Sequence, residues 1–216
     1  MHRLSDGCGT EQVCFNKLTF SKGSSNTTTM KLVFLTVIII LCGQLSPAQS
    51  KYFSKAGKIS FYSKAPLEDI EAHNTKAVSV FDLSTGQIEF SVLIKGFEFE
   101  KAKMQEHFNE NYLESDKYPK AVFTGTMNNI KEIDLAKDGV YHVDVSGSLQ
   151  LHGVTKPQTA KAVITVKGGT VSAVSDFTVA LADYNIRIPA LVAEKISKTV
   201  RVVENVPSYQ SLASKS

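Results

Sequence analysis

The sequence predicts an all-β domain: about eight antiparallel strands closed into a barrel, with one short capping helix. Three observations carry that reading. Apolar and polar residues alternate in run after run, the pattern of strands with one apolar face. Turn residues such as Ser84-Thr85-Gly86, Asp138-Gly139 and Gly168-Gly169 separate the runs, as hairpins require. One segment alone carries a long helical stripe.

In chain order, residues 58–63 and 77–82 read as the first two strands, the second turning at Ser84-Thr85-Gly86. Ile88, Phe90, Val92 and Ile94 then alternate with Gln87, Glu89 and Ser91. Residues 66–72, with Glu68, Asp69 and Glu71, read as one acidic helical turn. Residues 101–113 place Met104, Phe108 and Tyr112 four apart, one face of a helix, and Pro119 ends it in extended geometry. Phe123 and Met127 share a strand face with Gly125 between them.

Tyr141, Val143, Val145, Leu149 and Leu151 hold a single phase, with Gly147 falling on their side. Ala160, Ala162, Ile164 and Val166 follow, then Phe177, Val179 and Leu181, and finally Ile196, Val200 and Val202. The polar tail from Ser208 reads as frayed. Successive hairpins make the sheet antiparallel, and closure removes its exposed edges.

The N-terminus reads as three pieces. Lys31 precedes eleven residues, 32–42, that are apolar except for Thr36, and small residues follow at Ser46, Ala48 and Ser50. That is a secretory signal peptide over residues 30–48, too short for a membrane span of about 20 residues. Residues 1–29 read as a gene-model extension, and residues 49–216 as the domain. Cys8, Cys14 and Cys42 all precede the expected cleavage, which excludes disulfides, thiolate metal sites and a Cys nucleophile from the mature protein.

Of 24 basic and 21 acidic residues, the first 48 positions carry four and two, leaving 20 and 19. A net charge of +1 gives no footprint for nucleic acid.

Glu106 to Gly125 resembles the central signature of the YceI-like family: a short helix, Leu113-Glu114-Ser115-Asp116-Lys117-Tyr118-Pro119, and a strand opening on Phe123 and Gly125. Leu149-Gln150-Leu151-His152-Gly153-Val154-Thr155-Lys156 resembles a second family element. The likeness runs roughly from Lys51 to Glu204. It implies a periplasmic or secreted, lipocalin-like barrel that holds a long polyisoprenoid, a quinone or a prenyl phosphate, without a cofactor. Periodicity does not separate a hollow barrel from a filled one; the resemblance points to a hollow one.

The expected lining is Phe90, Val92, Phe123, Met127, Tyr141, Val143, Val145, Leu149, Ala162, Ile164, Phe177 and Val179. His152, Lys156 and Arg187 are the head-group candidates, Arg because its guanidinium suits phosphate. His107 and Glu110 share a helix face, yet no H-E-x-x-H pattern or third ligand accompanies them, so no metal is expected. No G-x-S-x-G elbow is present either. No catalytic residue is therefore assigned. A barrel with a structural or stress-related role and no ligand is the alternative, ahead of a lipid-modifying hydrolase. A homodimer is left open as a partner; nucleic acid is not expected.

Overall fold

The computed structural model describes residues 50–212. The leader, the three cysteines, the segment before residue 30 and the last four residues of the tail lie outside that range.

Eight long strands form the sheet: β1 (Lys51–Lys64), β2 (Asp69–Asp82), β3 (Gln87–Leu93), β5 (Lys120–Met127), β6 (Gly139–Leu151), β7 (Val154–Lys167), β8 (Thr170–Ala180) and β9 (Thr199–Ser211). A two-residue strand, β4 (Glu98–Phe99), pairs with the start of β2. Each long strand runs antiparallel to its neighbours, and β1 meets both β2 and β9, so the meander closes into a barrel. One helix, α1 (Ala102–His107), continues as a wider turn through Phe108–Tyr112.

Several strands exceed their sequence signal, each for a local reason. β1 shifts register around Gly57, so its period breaks before Ile59. A Cβ on Gly57 would stand 2.9 Å from the Ala77 carbonyl oxygen, so the close approach there requires glycine. The inward phase of β2 is interrupted by Asn74, whose Nδ2 donates to the Leu93 carbonyl while its Oδ1 accepts from the Lys76 N–H.

The expected acidic turn at residues 66–72 is a bend followed by β2, with Ile70 and Ala72 paired to Ser63 and Phe61. Cross-strand partners and an inward Ala72 outweigh the acidic helix signal. The tail is likewise strand as far as Ser211, anchored by buried Tyr209, whose hydroxyl lies 2.7 Å from Ser79 Oγ.

Inward residues fall into two core clusters, one towards each end of the barrel. The first gathers Phe81, Met127, Val143, Val145, Ile164, Val166, Val171 and Val206, among others. The second gathers Ile59, Phe90, Val92, Ile94, Phe97, Leu149, Val179 and Ile186, among others. Phe123 packs against both. Its ring covers Gly125 and Gly147, where an added Cβ would meet Phe123 Cζ at 2.7 and 2.9 Å. These two glycines therefore make room for an aromatic ring rather than for an open tunnel.

Candidate functional site

A cavity of about 370 Å³ opens in the second cluster, under α1. That volume is within the roughly 300–1,000 Å³ of small-molecule sites. Strand residues supply one wall: Ile59 and Phe61 from β1, Val92 from β3, Ala121 from β5, Val179 from β8, and Val200 and Val202 from β9. Met104, Phe108 and Tyr112 of the helical stripe line it from above, so the stripe faces the barrel as its spacing requires.

Phe108 holds an aromatic cluster together. Its ring is 5.4 Å from Phe61, 5.6 Å from Phe97 and 4.9 Å from Phe99. Offset and edge-on contacts of this kind add to the burial itself. The rings pack on one another along one side, which leaves space beside them.

Few polar groups reach the wall. Glu68 lines it and accepts from Lys101 Nζ at 3.1 Å; Ser63, His107, Tyr112 and Lys195 complete the set. Ser63 Oγ accepts from the Ser197 N–H at 2.9 Å. Burial raises the Tyr112 phenol above its ordinary value, so that side chain is a neutral hydroxyl. Two exposed leucines, Leu67 and Leu191, stand on the loops that carry Glu68 and Val192.

Of the expected lining residues, Val92 and Val179 border this cavity. Phe90, Leu149, Phe123 and Phe177 belong to the same cluster without bordering the space. Met127, Tyr141, Val143, Val145, Ala162 and Ile164 sit in the other cluster. Tyr141 spends its hydroxyl donating to the Asp134 carbonyl at 2.9 Å.

The sequence reading missed Ile94, Phe97, Phe99, Ile186, Val192 and Ile196 as lining residues. Ile94 and Ile196 stand at the ends of strand phases without being assigned to the lining; Phe97 and Phe99 surround a short turn and β4, and Ile186 and Val192 lie in the long β8–β9 connection, where no period exists to be read. Ala121, Val200 and Val202 did carry a signal, the strand phase itself.

The head-group candidates lie apart from the cavity wall. His152, with a side chain 11% exposed, faces Glu114 Oε2 through Nε2 at 2.9 Å. Its Nδ1 donates to the Tyr184 carbonyl at 2.9 Å. Its ring meets Tyr118 edge-on at 4.7 Å. Gly153 follows at φ +74°, where a Cβ would stand 2.5 Å from the Tyr118 ring. The two signature segments thus grip each other: the turn after the helix is latched to the β6–β7 hairpin. Lys156 is exposed on β7, opposite Leu149, and Arg187 is exposed beside buried Ile186.

His107 borders the cavity and Glu110 does not. Among the described residues no group of three or more His, Cys, Asp or Glu is placed to hold a metal ion.

The sequence matches the YceI-like domain family over residues 45–206. Among solved structures, a polyisoprenoid-binding domain from Saccharophagus degradans, implicated in plant cell wall breakdown, is similar at a TM-score of 0.64 and 18% identity, covering 76% of this chain and 99% of that one. BcnA from Burkholderia cenocepacia is similar at 0.58 and 15% identity, covering 69% and 94%. No curated protein matches the sequence.

Proposed function

The chain belongs to the YceI-like domain family, and from that premise we propose that it binds the apolar chain of an isoprenoid lipid in the cavity under α1. The carrying observation is that cavity of about 370 Å³, walled by Ile59, Phe61, Val92, Phe108, Val179 and Val202 with few polar groups. Hydrocarbon burial contributes about 0.8 kcal/mol per methylene, so each isoprene unit drawn in from water contributes roughly 3 kcal/mol before binding costs. The polyisoprenoid ligand named for the Saccharophagus degradans domain supports the same class of ligand here.

The protein acts by holding lipid, not by converting it. Ser63 and His107 reach the wall from β1 and α1, and no hydrogen bond joins them among the described residues. A nucleophile needs such a base in reach. The place of action is outside the cytoplasm, after export on the leader at residues 30–48.

Organic extraction of gently purified protein, followed by mass spectrometry, tests the proposal. A stoichiometric isoprenoid lipid is the expected result. Absence of any extracted lipid, together with no saturable uptake of an added isoprenoid, would overturn it.

A further inference from the structure

Glu204 breaks the inward phase of β9. Val200, Val202 and Val206 share one side of that strand, and Glu204 occupies the same phase between them. Its cross-strand partners are Ile59 on β1 and Ser175 on β8. Ile59 and Val202 both line the cavity, and Glu204, not itself a lining residue, sits next to them on the inward phase, at the level where the hollow end gives way to the filled one.

Among the described residues, Glu204 is in no ion pair, and its side chain takes part in no hydrogen bond to another protein group. The residue keeps some accessible surface although protein encloses it closely. The charged residues of the adjoining strands belong to the outer face: Lys58 is exposed, and Asp176 is held by Arg201. Burial alone raises Glu204; Tyr209, further along β9, is raised by burial and then by the nearby Glu204 carboxyl, and its hydroxyl is bonded to Ser79 of β2. A carboxyl kept inside an apolar barrel without a protein partner carries a desolvation cost that a bound polar group would offset.

We propose that Glu204 is the internal polar contact for the lipid, donating a hydrogen bond to an uncharged oxygen at its buried end, such as a quinone or ester carbonyl. Burial raises this carboxyl to about 8, so at neutral pH it carries the proton to donate. A phosphate has no place beside it: a phosphate is anionic, and among the described residues β1, β8 and β9 bring no Lys or Arg inward next to Glu204, the cavity's Lys195 coming instead from the β8–β9 connection. The inference rests on the lipid-binding reading and adds the chemical class of the ligand.

Calorimetry on delipidated protein tests it with three probes that share one tail: a farnesyl benzoquinone, farnesyl phosphate and the hydrocarbon farnesane. Wild type should bind the quinone about tenfold tighter near pH 6 than near pH 9.5, the size of one hydrogen bond gained or lost. Glu204→Gln keeps a donor and should bind it equally at both pH values. Glu204→Leu should lose about tenfold for the quinone near pH 6 and nothing for farnesane. Thermal melts establish that each variant folds; if the Leu variant does not, the Gln variant's pH profile decides.

Quinone binding that is independent of pH in wild type, or tighter binding of farnesyl phosphate than of the quinone, would overturn the assignment. Failure of wild type to bind any of the three probes would instead overturn the lipid-binding reading beneath it.

Discussion

The two ends of the barrel interior are built by the same rule and end differently. At one end the inward phases of β5 to β9 meet as Met127, Val143, Val145, Ile164, Val171 and Val206, with Phe81, Tyr52 and Tyr209 stacked among them, and loop residues Ile130, Ile133 and Leu135 close over the top. At the other end the strands draw apart. Pairing of β7 with β8 stops at Lys161–Asp176, and β4 is two residues long. Phe61, Phe97, Phe99 and Phe108 pack on one another instead of across the barrel. Strand phase thus decides which residues face inward, while the pairing at the strand ends and the covering segments decide whether the interior fills.

The largest effect should come from truncation in the filled end. Phe81, 2% exposed, contacts Tyr52 and Tyr209. Phe81→Ala should cost about 3–5 kcal/mol in urea unfolding and leave lipid uptake by the folded protein intact. A loss under about 1 kcal/mol would mean that this end is not close-packed.

Glu204, between the ends, should make stability depend on pH. In the folded state its carboxyl stays protonated up to about 8, whereas in the unfolded chain it ionises near 4.5. The folded state therefore holds the extra proton inside that window. Stability is highest below about pH 4.5, declines as pH rises towards 8, and then levels off with respect to this group. Glu204→Gln should flatten the decline and be more stable near pH 8 by about 3 kcal/mol, allowing for the surface the residue retains. Parallel pH profiles for the two proteins would contradict this.

How far the sequence foretells this molecule follows from the same comparison. β6 and β7 are legible because inward and outward residues alternate almost without a break from Tyr141 to Val166. The early parts of β1 and β2 are not, because the register shift at Gly57 and the buried Asn74 interrupt the alternation there. The filled end is made of strand residues and could be inferred from pattern. Much of the cavity is not, because Phe97, Ile186 and Val192 come from turns and connections that carry no period. Glu204 was passed over in the sequence, although a carboxylate in the phase of Val200, Val202 and Val206 is a local conflict that the pattern contains.

Small-to-large substitutions separate the ends at intermediate cost. Ala162 belongs to the filled cluster and Ala121 to the cavity wall. Ala162→Phe should overpack and lose about 1–3 kcal/mol with lipid uptake unchanged in the molecules that fold. Ala121→Phe should cost less and displace lipid, because its ring enters empty space. Equal stability losses in the two variants, with lipid retained in both, would show that the cavity is not where lipid sits.

The smallest expected effect tests how the hollow end is held shut. α1 and the turn after it cover the cavity, and that turn is tied to the β6–β7 hairpin by Glu114, His152 and Tyr118. Glu114 is about half exposed, so its charged contact with His152 is worth on the order of 1 kcal/mol or less. Glu114→Gln removes the negative charge and should leave the global melt almost unchanged. Its effect should be local, because the latch holds the cover and the strands hold the barrel. Amide hydrogen exchange should quicken about fivefold or less from Met104 to Tyr118. At Val143 and Val145, in the filled end, it should stay as in wild type. Uniform quickening at both sites would mean that the cover and the barrel open as one unit.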